Sequence, residues 1–148
     1  MEKETKKFIN DLNNRLMYGL KCLIYRTDDM GVGWRLAKYN GMCIIDEKYY
    51  EFYFDDLLSI DSINKIKPYL FPFDSITDDQ LQDFYYRFIE NELDFEDFKE
   101  YWKNYKNKLL ASISDTKEVM EWFYERHIDI NGLINKGLAI DATDKDIY

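Results

Sequence analysis

The chain has 148 residues, 46 % hydrophobic and 18 % aromatic, which is enough apolar surface for one folded domain and too much for a disordered chain. Its 29 acidic residues against 20 basic ones give a net charge of −9, so nucleic-acid phosphates and anionic membranes repel it. One histidine and two separated cysteines exclude most histidine- and cysteine-based catalytic constellations, any C-x-x-C motif and a zinc-ligand set.

Residues 4–17 are predicted to form a helix, because Phe8, Ile9, Leu12 and Leu16 share one face. Lys6, Lys7, Asn10, Asp11 and Asn14 take the other face, and Tyr18-Gly19 ends the helix. From residue 20 the pattern turns to strands, at 20–26, 34–39, 42–46 and 49–54. Asn40-Gly41 is the strongest turn signal among them, since a type I′ hairpin needs positive φ at both central residues. The expected sheet is a four-stranded antiparallel meander. Its last strand turns Tyr50, Phe52 and Phe54 to the core and Tyr49, Glu51 and Tyr53 away from it.

Residues 55–76 read as an ordered connector with one helical turn near 62–66. Lys67-Pro68 and Phe71-Pro72 break any longer helix, and Tyr69, Leu70, Phe71 and Phe73 are apolar enough to dock. Thr77-x-x-Gln80 is a capping box that opens a helix reaching about residue 92. Asp94 caps a second helix over 95–110, with the stripe Phe98, Trp102, Tyr105 and Leu109. Asp115-x-x-Glu118 opens a third, through Val119, Met120, Trp122 and Phe123 to residue 127. Residues 128–142 form a turn-rich strap that lays Ile128, Ile130, Leu133, Ile134, Leu138 and Ile140 on the core, and residues 143–148 fray. The fold class is therefore α+β in a single domain: helix and sheet over 1–58, connector over 59–76, helices over 77–127, strap and tail over 128–148.

Chemical motifs are few. His127, between Glu125 and Asp129, is expected to cap carbonyls at a helix C-terminus. Gly31-Val32-Gly33 lacks the third glycine and the helix of a dinucleotide-binding loop, and reads as a hairpin loop. Residues 141–146 carry Asp where a calcium loop needs Gly, and read as a solvated tail. Cys22 and Cys43 sit in apolar segments and are expected to be buried thiols. No catalytic, cofactor-binding or metal-binding residue is assigned. The acids Asp78, Asp79, Asp83, Glu90, Glu92, Asp94, Glu96 and Asp97 admit two readings: a docking surface for a basic protein partner, or two helix N-termini with a solvated face. Tyr49-Tyr50 and Tyr85-Tyr86 add surface aromatics of the kind enriched in binding hot spots.

Three segments, LMYGLK at 16–21, KPYLFP at 67–72 and HIDINGLINKGLAI at 127–140, resemble in order and spacing those of short uncharacterised acidic proteins of gut bacteria and their phages. The resemblance covers about a fifth of the chain. It implies no activity and therefore no catalytic residue, and it implies an accessory role such as tuning a host protein.

The sequence thus leads to a non-enzymatic protein-binding accessory or regulatory module with an acidic docking surface. Direct contact with nucleic acid or membrane is not expected. The charged N-terminus carries no apolar leader, so the expected compartment is the cytoplasm. One alternative is a carboxylate-based or metal-dependent hydrolase, which needs two or three acids converging in a pocket. Another is a self-associating structural protein.

Overall fold

Helix α1 (Lys3–Asn14) opens the computed structural model, which describes residues 3–28, 31–46, 49–55, 58–89, 93–113 and 117–148. It buries Phe8, Ile9 and Leu12 as predicted. It ends early: Leu16–Tyr18 is a 3-10 turn that leaves Leu16 exposed, and Gly19 closes it in the left-handed conformation (φ 71°). Asp11, assigned to the polar face, is instead buried.

The fold is α+β: strands β1 (Lys21–Asp28), β2 (Gly31–Asp46) and β3 (Tyr49–Phe54), with the short β4 (Ser59–Ile60), form a four-stranded antiparallel meander, but its strands are not divided as expected. Residues 34–39 and 42–46 belong to one strand. Asn40 does not take positive φ, so a type I′ turn cannot form at Asn40-Gly41. Gly41, at φ 121°, instead accommodates a register shift while the strand runs on. Gly31-Val32-Gly33, read as a loop, is the start of β2; residues 29–30 before it lie outside the described residues. The first half of β2 pairs with β1, from Asp28↔Gly31 to Lys21↔Lys38, and the second half pairs with β3, from Tyr39↔Phe54 to Asp46↔Tyr49. Phe52 and Phe54 face the core, as the alternation predicts. β4 (Ser59–Ile60) pairs with β3 and reaches back to touch β1, so the sheet curls.

The connector holds a strand that its prolines hid. After a 3-10 turn at Ile63–Lys65, β5 (Ile66–Pro72) runs antiparallel to β1 and buries Ile66, Pro68 and Leu70. Pro68 is tolerated there because the partners on the far side of β5 start only at Tyr69. The strap contributes β6 (Ile128–Asp129) and β7 (Ile140–Asp141), both parallel to β5. The order is β4-β3-β2-β1-β5-β6, with β7 also on β5.

Helix α2 (Asp78–Phe88) begins with the predicted reciprocal capping box: Gln80 N donates to Thr77 Oγ1 (3.2 Å) and Thr77 N to Gln80 Oε1 (3.0 Å). α3 (Phe95–Ile113) begins with Asp97 N donating to Asp94 Oδ1 at 2.9 Å. Its geometry breaks at Tyr105 (φ −135°), which leaves the predicted stripe and is exposed. α4 (Lys117–Glu125) follows; its predicted cap at Asp115 lies outside the described residues. Two apolar clusters result. One joins α1, the curled sheet, Leu133 and Ala139; the other joins α2, α3, α4 and Ile128 around Phe84. Among the described residues no helix is long and apolar enough to cross a membrane.

Candidate functional site

The buried polar groups serve the fold. Arg15 is wholly buried and grips Asp11 with two hydrogen bonds, Nε to Oδ1 (2.6 Å) and Nη2 to Oδ2 (3.1 Å). Its Nη2 also donates to Ile128 O at 2.9 Å, and Asn131 donates to Asp11 Oδ2 at 2.6 Å. The guanidinium lies 4.8 Å from the Tyr124 ring centre. Asp129 accepts the N–H groups of Leu133 (2.9 Å) and Ile134 (2.8 Å), which folds the strap. Together these bonds pin the strap and β6 to α1.

His127 does not cap carbonyls with its side chain. It is the left-handed residue that ends α4 (φ 58°), and its ring is buried against Tyr148, stacked at 3.7 Å and 12°. The Tyr148 hydroxyl donates to Tyr69 O (2.7 Å) and accepts from Lys21 N (3.1 Å), while Lys21 Nζ donates to Ile147 O (2.8 Å). The tail expected to fray is thus tied across β1 and β5. Burial, with the charges of Arg15 and Lys21 nearby, lowers the His127 pKa to about 4. The folded value lies below the unfolded one, so this stability is complete above pH ~6.5 and is lost as pH falls toward 4. Urea denaturation between pH 7 and 4 is expected to show that loss in the wild type and a smaller one in His127→Gln.

Among the described residues, the predicted partner-binding acids are interleaved with cations. Asp78 pairs with Lys99 at 3.1 Å. Asp83 accepts from Trp122 Nε1 (2.8 Å) and Arg126 Nη2 (3.0 Å), and the Trp122 bond leads in holding its carboxyl below the usual range. Asp94 caps α3. Asp79, Glu96 and Asp97 are exposed in the first turns of α2 and α3, where the helix dipole favours them. Glu90 and Glu92 lie outside the described residues. A groove of about 440 Å³ between the two helices is walled by Asp74, Asp78, Glu96 and Glu100, but Lys99, Lys103 and Lys106 interleave with them and Lys106 pairs with Asp74. Among the described residues no three His, Cys, Asp or Glu side chains are placed to hold a metal ion.

The exposed part of β2 has a different character. Register places Val32, Trp34 and Leu36 on one face beside Thr27, Tyr25 and Leu23 of β1, with Lys67 of β5 next to Leu23. Val32 is 74 % exposed, Trp34 49 % and Leu36 45 %. Trp34 meets Tyr25 edge-on at 5.3 Å, and Lys67 Nζ stands 5.9 Å from the Trp34 ring centre. Beyond the Gly41 bend Ile44 and Ile45 are exposed as well, and so is Cys43, which was expected to be buried. Cys22 is fully buried, its thiol pKa pushed far up, and both cysteines are free. No protein-family model, curated protein or solved structure matches this chain, so the functional reading rests on its own geometry.

Proposed function

We propose that the chain is a non-enzymatic protein-binding module, acting as an accessory or regulatory factor in the cytoplasm. Its partner docks on the exposed half of β2 in preference to the acids of α2 and α3. The setting is the one the segment resemblance implies, a gut bacterium or its phage. The observation that carries this reading is the contiguous apolar row Val32, Trp34 and Leu36, backed by Tyr25 and Leu23. Contiguous exposed apolar surface marks interaction sites, and Trp and Tyr are the residues that dominate binding energy. The acidic helices support a docking role less well, because a basic partner would meet Lys99, Lys103 and Lys106 among the carboxylates.

The test uses tagged protein as bait in host-cell lysate, with two variants beside the wild type. One is Trp34→Ala/Leu36→Ala; the other is Asp79→Asn/Glu96→Gln/Asp97→Asn. A partner held by the wild type and by the helix variant is expected to be lost at least tenfold from the sheet variant. Loss confined to the helix variant, with capture weakening as salt rises, would move the docking surface to the acids.

A further inference from the structure

We propose that the recess beneath Tyr148 is a tyrosine-recognition site, closed by the chain's own residues 143–148 and able to take the tyrosine of a partner polypeptide in their place. It uses none of the residues assigned to the docking surface on β2. Three observations meet there. First, main-chain groups of two strands read the hydroxyl. Register would set Lys21 opposite Tyr69, but the pairing of β1 with β5 ends at Cys22↔Pro68. The Tyr148 hydroxyl stands in the opening instead, accepting from Lys21 N and donating to Tyr69 O. One N–H and one C=O suit a group that accepts and donates at once, as a phenol does. Burial of that end pushes the Tyr148 pKa far up, so the donated proton stays in place. Second, the walls fit a flat ring. His127 lies against it face to face, Phe71 stands 6.0 Å away at 50°, and Lys21 Nζ is 6.0 Å from the ring centre. His127 Nδ1 is buried without a hydrogen bond among the described residues, so the imidazole serves the recess with its face. Third, the closing segment is lightly held. Ala142 N donates to Leu70 O at 2.8 Å; beyond it, among the described residues, only Ile147 O and the Tyr148 hydroxyl hydrogen-bond to the body. Among the described residues three non-glycine residues take positive φ, and all belong to this closure: His127 (58°), Asp144 (59°) and Asp146 (50°). Strain of that kind collects at clamps and switches, and release of the segment relieves it at both aspartates.

The chemistry of the occupant follows from the walls. Phenylalanine would leave the Lys21 N–H and the Tyr69 C=O facing an apolar ring edge. A phosphotyrosine would turn acceptor oxygens toward Tyr69 O. The residue before the tyrosine presents its C=O to Lys21 Nζ, as Ile147 does at 2.8 Å. A second copy gains nothing, because its tail makes the same contacts as the resident one, which is tethered beside the recess at high effective concentration. A partner with contacts elsewhere does gain. Lys21 shares a face of β1 with Leu23 and Tyr25, so the recess adjoins the apolar row and a chain docked on that row reaches it. That last step rests on the docking surface; the recess itself does not.

The experiment pairs amide exchange by NMR on the wild type with peptide binding by fluorescence anisotropy. In the wild type the Lys21 amide, held by Tyr148, is expected to exchange at least tenfold faster than that of Leu23, which faces β5 inside the ladder, and at a rate that low urea leaves unchanged. The probes are a labelled hexapeptide copying residues 143–148 and its analogues ending in phenylalanine and in phosphotyrosine. Tyr148→Ala is expected to bind the tyrosine peptide at least tenfold tighter than the wild type does, and at least tenfold tighter than it binds either analogue. Adding His127→Asn, which tolerates the left-handed conformation but lacks the ring, should lower that affinity tenfold. Thermal melts establish that each variant is folded. Tyr148→Phe, which keeps the ring and loses only the hydroxyl, replaces Tyr148→Ala if the latter is not, with the same order of peptides expected.

Equal binding of the tyrosine and phenylalanine peptides overturns the reading of the hydroxyl. Equal binding to the wild type and to Tyr148→Ala places the peptide elsewhere and overturns the site. Loss of peptide affinity on Trp34→Ala/Leu36→Ala does the same, since it puts the peptide on the apolar row. A Lys21 amide as slow as that of Leu23 makes Tyr148 a fixed anchor and overturns the exchange of occupants. Failure of the β2 surface would leave all of these results unchanged, so the two readings fall separately.

Discussion

Replacing Arg15 with alanine is expected to destabilise the protein by about 3–5 kcal/mol, because it leaves the Asp11 carboxylate buried without its cation. The exposures of Arg15 (0 %) and Asp11 (2 %) place the pair out of water, unlike the surface ion pairs of α2 and α3. Arg15 also holds Ile128 O, so its loss releases β6 from α1 as well. Lysine should not rescue it, since an ammonium cannot make the parallel contacts to both Asp11 oxygens and still reach Ile128. Asp11→Ala should cost a similar amount. The double replacement Asp11→Leu/Arg15→Met should cost much less than the sum of the two single losses, because it removes both buried charges. Equilibrium urea denaturation of the wild type and these four variants measures this directly. A cost below about 1 kcal/mol for Arg15→Ala would mean that water reaches the pair.

Phe84→Ala is expected to be of comparable size, about 3–5 kcal/mol. The Phe84 ring is fully buried, and its centre lies between 4.9 and 6.2 Å from those of Phe88, Phe98, Trp102, Trp122 and Phe123. Three helices therefore share one side chain, and its removal opens a cavity that none of them can close alone. Phe84→Leu, closer in volume, should cost about 1.5 kcal/mol or less. Trp102 and Trp122 touch Phe84 while Trp34 does not, so a red shift of the buried tryptophan emission should accompany the alanine loss. An unshifted spectrum with unchanged stability would mean that the aromatic cluster repacks.

Local signals predicted what local physics decides. The stripe Phe8, Ile9, Leu12, the Thr77–Gln80 box and the Phe52–Phe54 face each depend on neighbours within a few residues, and each stands as expected. The failures have long-range causes. Asn-Gly favours a hairpin, but a hairpin needs Asn40 at positive φ, and the pairing of β2 with β1 before the bend and with β3 after it holds the residue extended. β5 was hidden because Pro68 usually argues against an interior strand; its tolerance depends on where the partners from the strap begin. Asp11 looked like a helix-surface acid. What buries it is Arg15 one turn on and Asn131 from the strap, a partner that no helical periodicity indicates. His127 and the tail both escape local signals, since each is ordered by the other.

The candidate surface shows the same division. The acids of α2 and α3 were legible as helix starts, and their first-turn positions agree. That Lys99 returns to Asp78, and Trp122 and Arg126 to Asp83, follows from helix packing and not from the acidic run. Of the exposed row on β2, Trp34 and Leu36 lie in the predicted strand 34–39, whereas Val32 falls in the Gly31-Val32-Gly33 segment that reads as a loop from sequence. Nothing local reveals that β3 pairs with β2 only from Tyr39 onward.

A photo-crosslinking residue placed at Leu36 in one protein and at Glu96 in another tests the central claim most directly, with both irradiated in host-cell lysate. Docking on β2 predicts one crosslinked partner from position 36, abolished by Trp34→Ala in the same chain, and none from position 96. The same partner crosslinked from position 96, with position 36 silent, would contradict it.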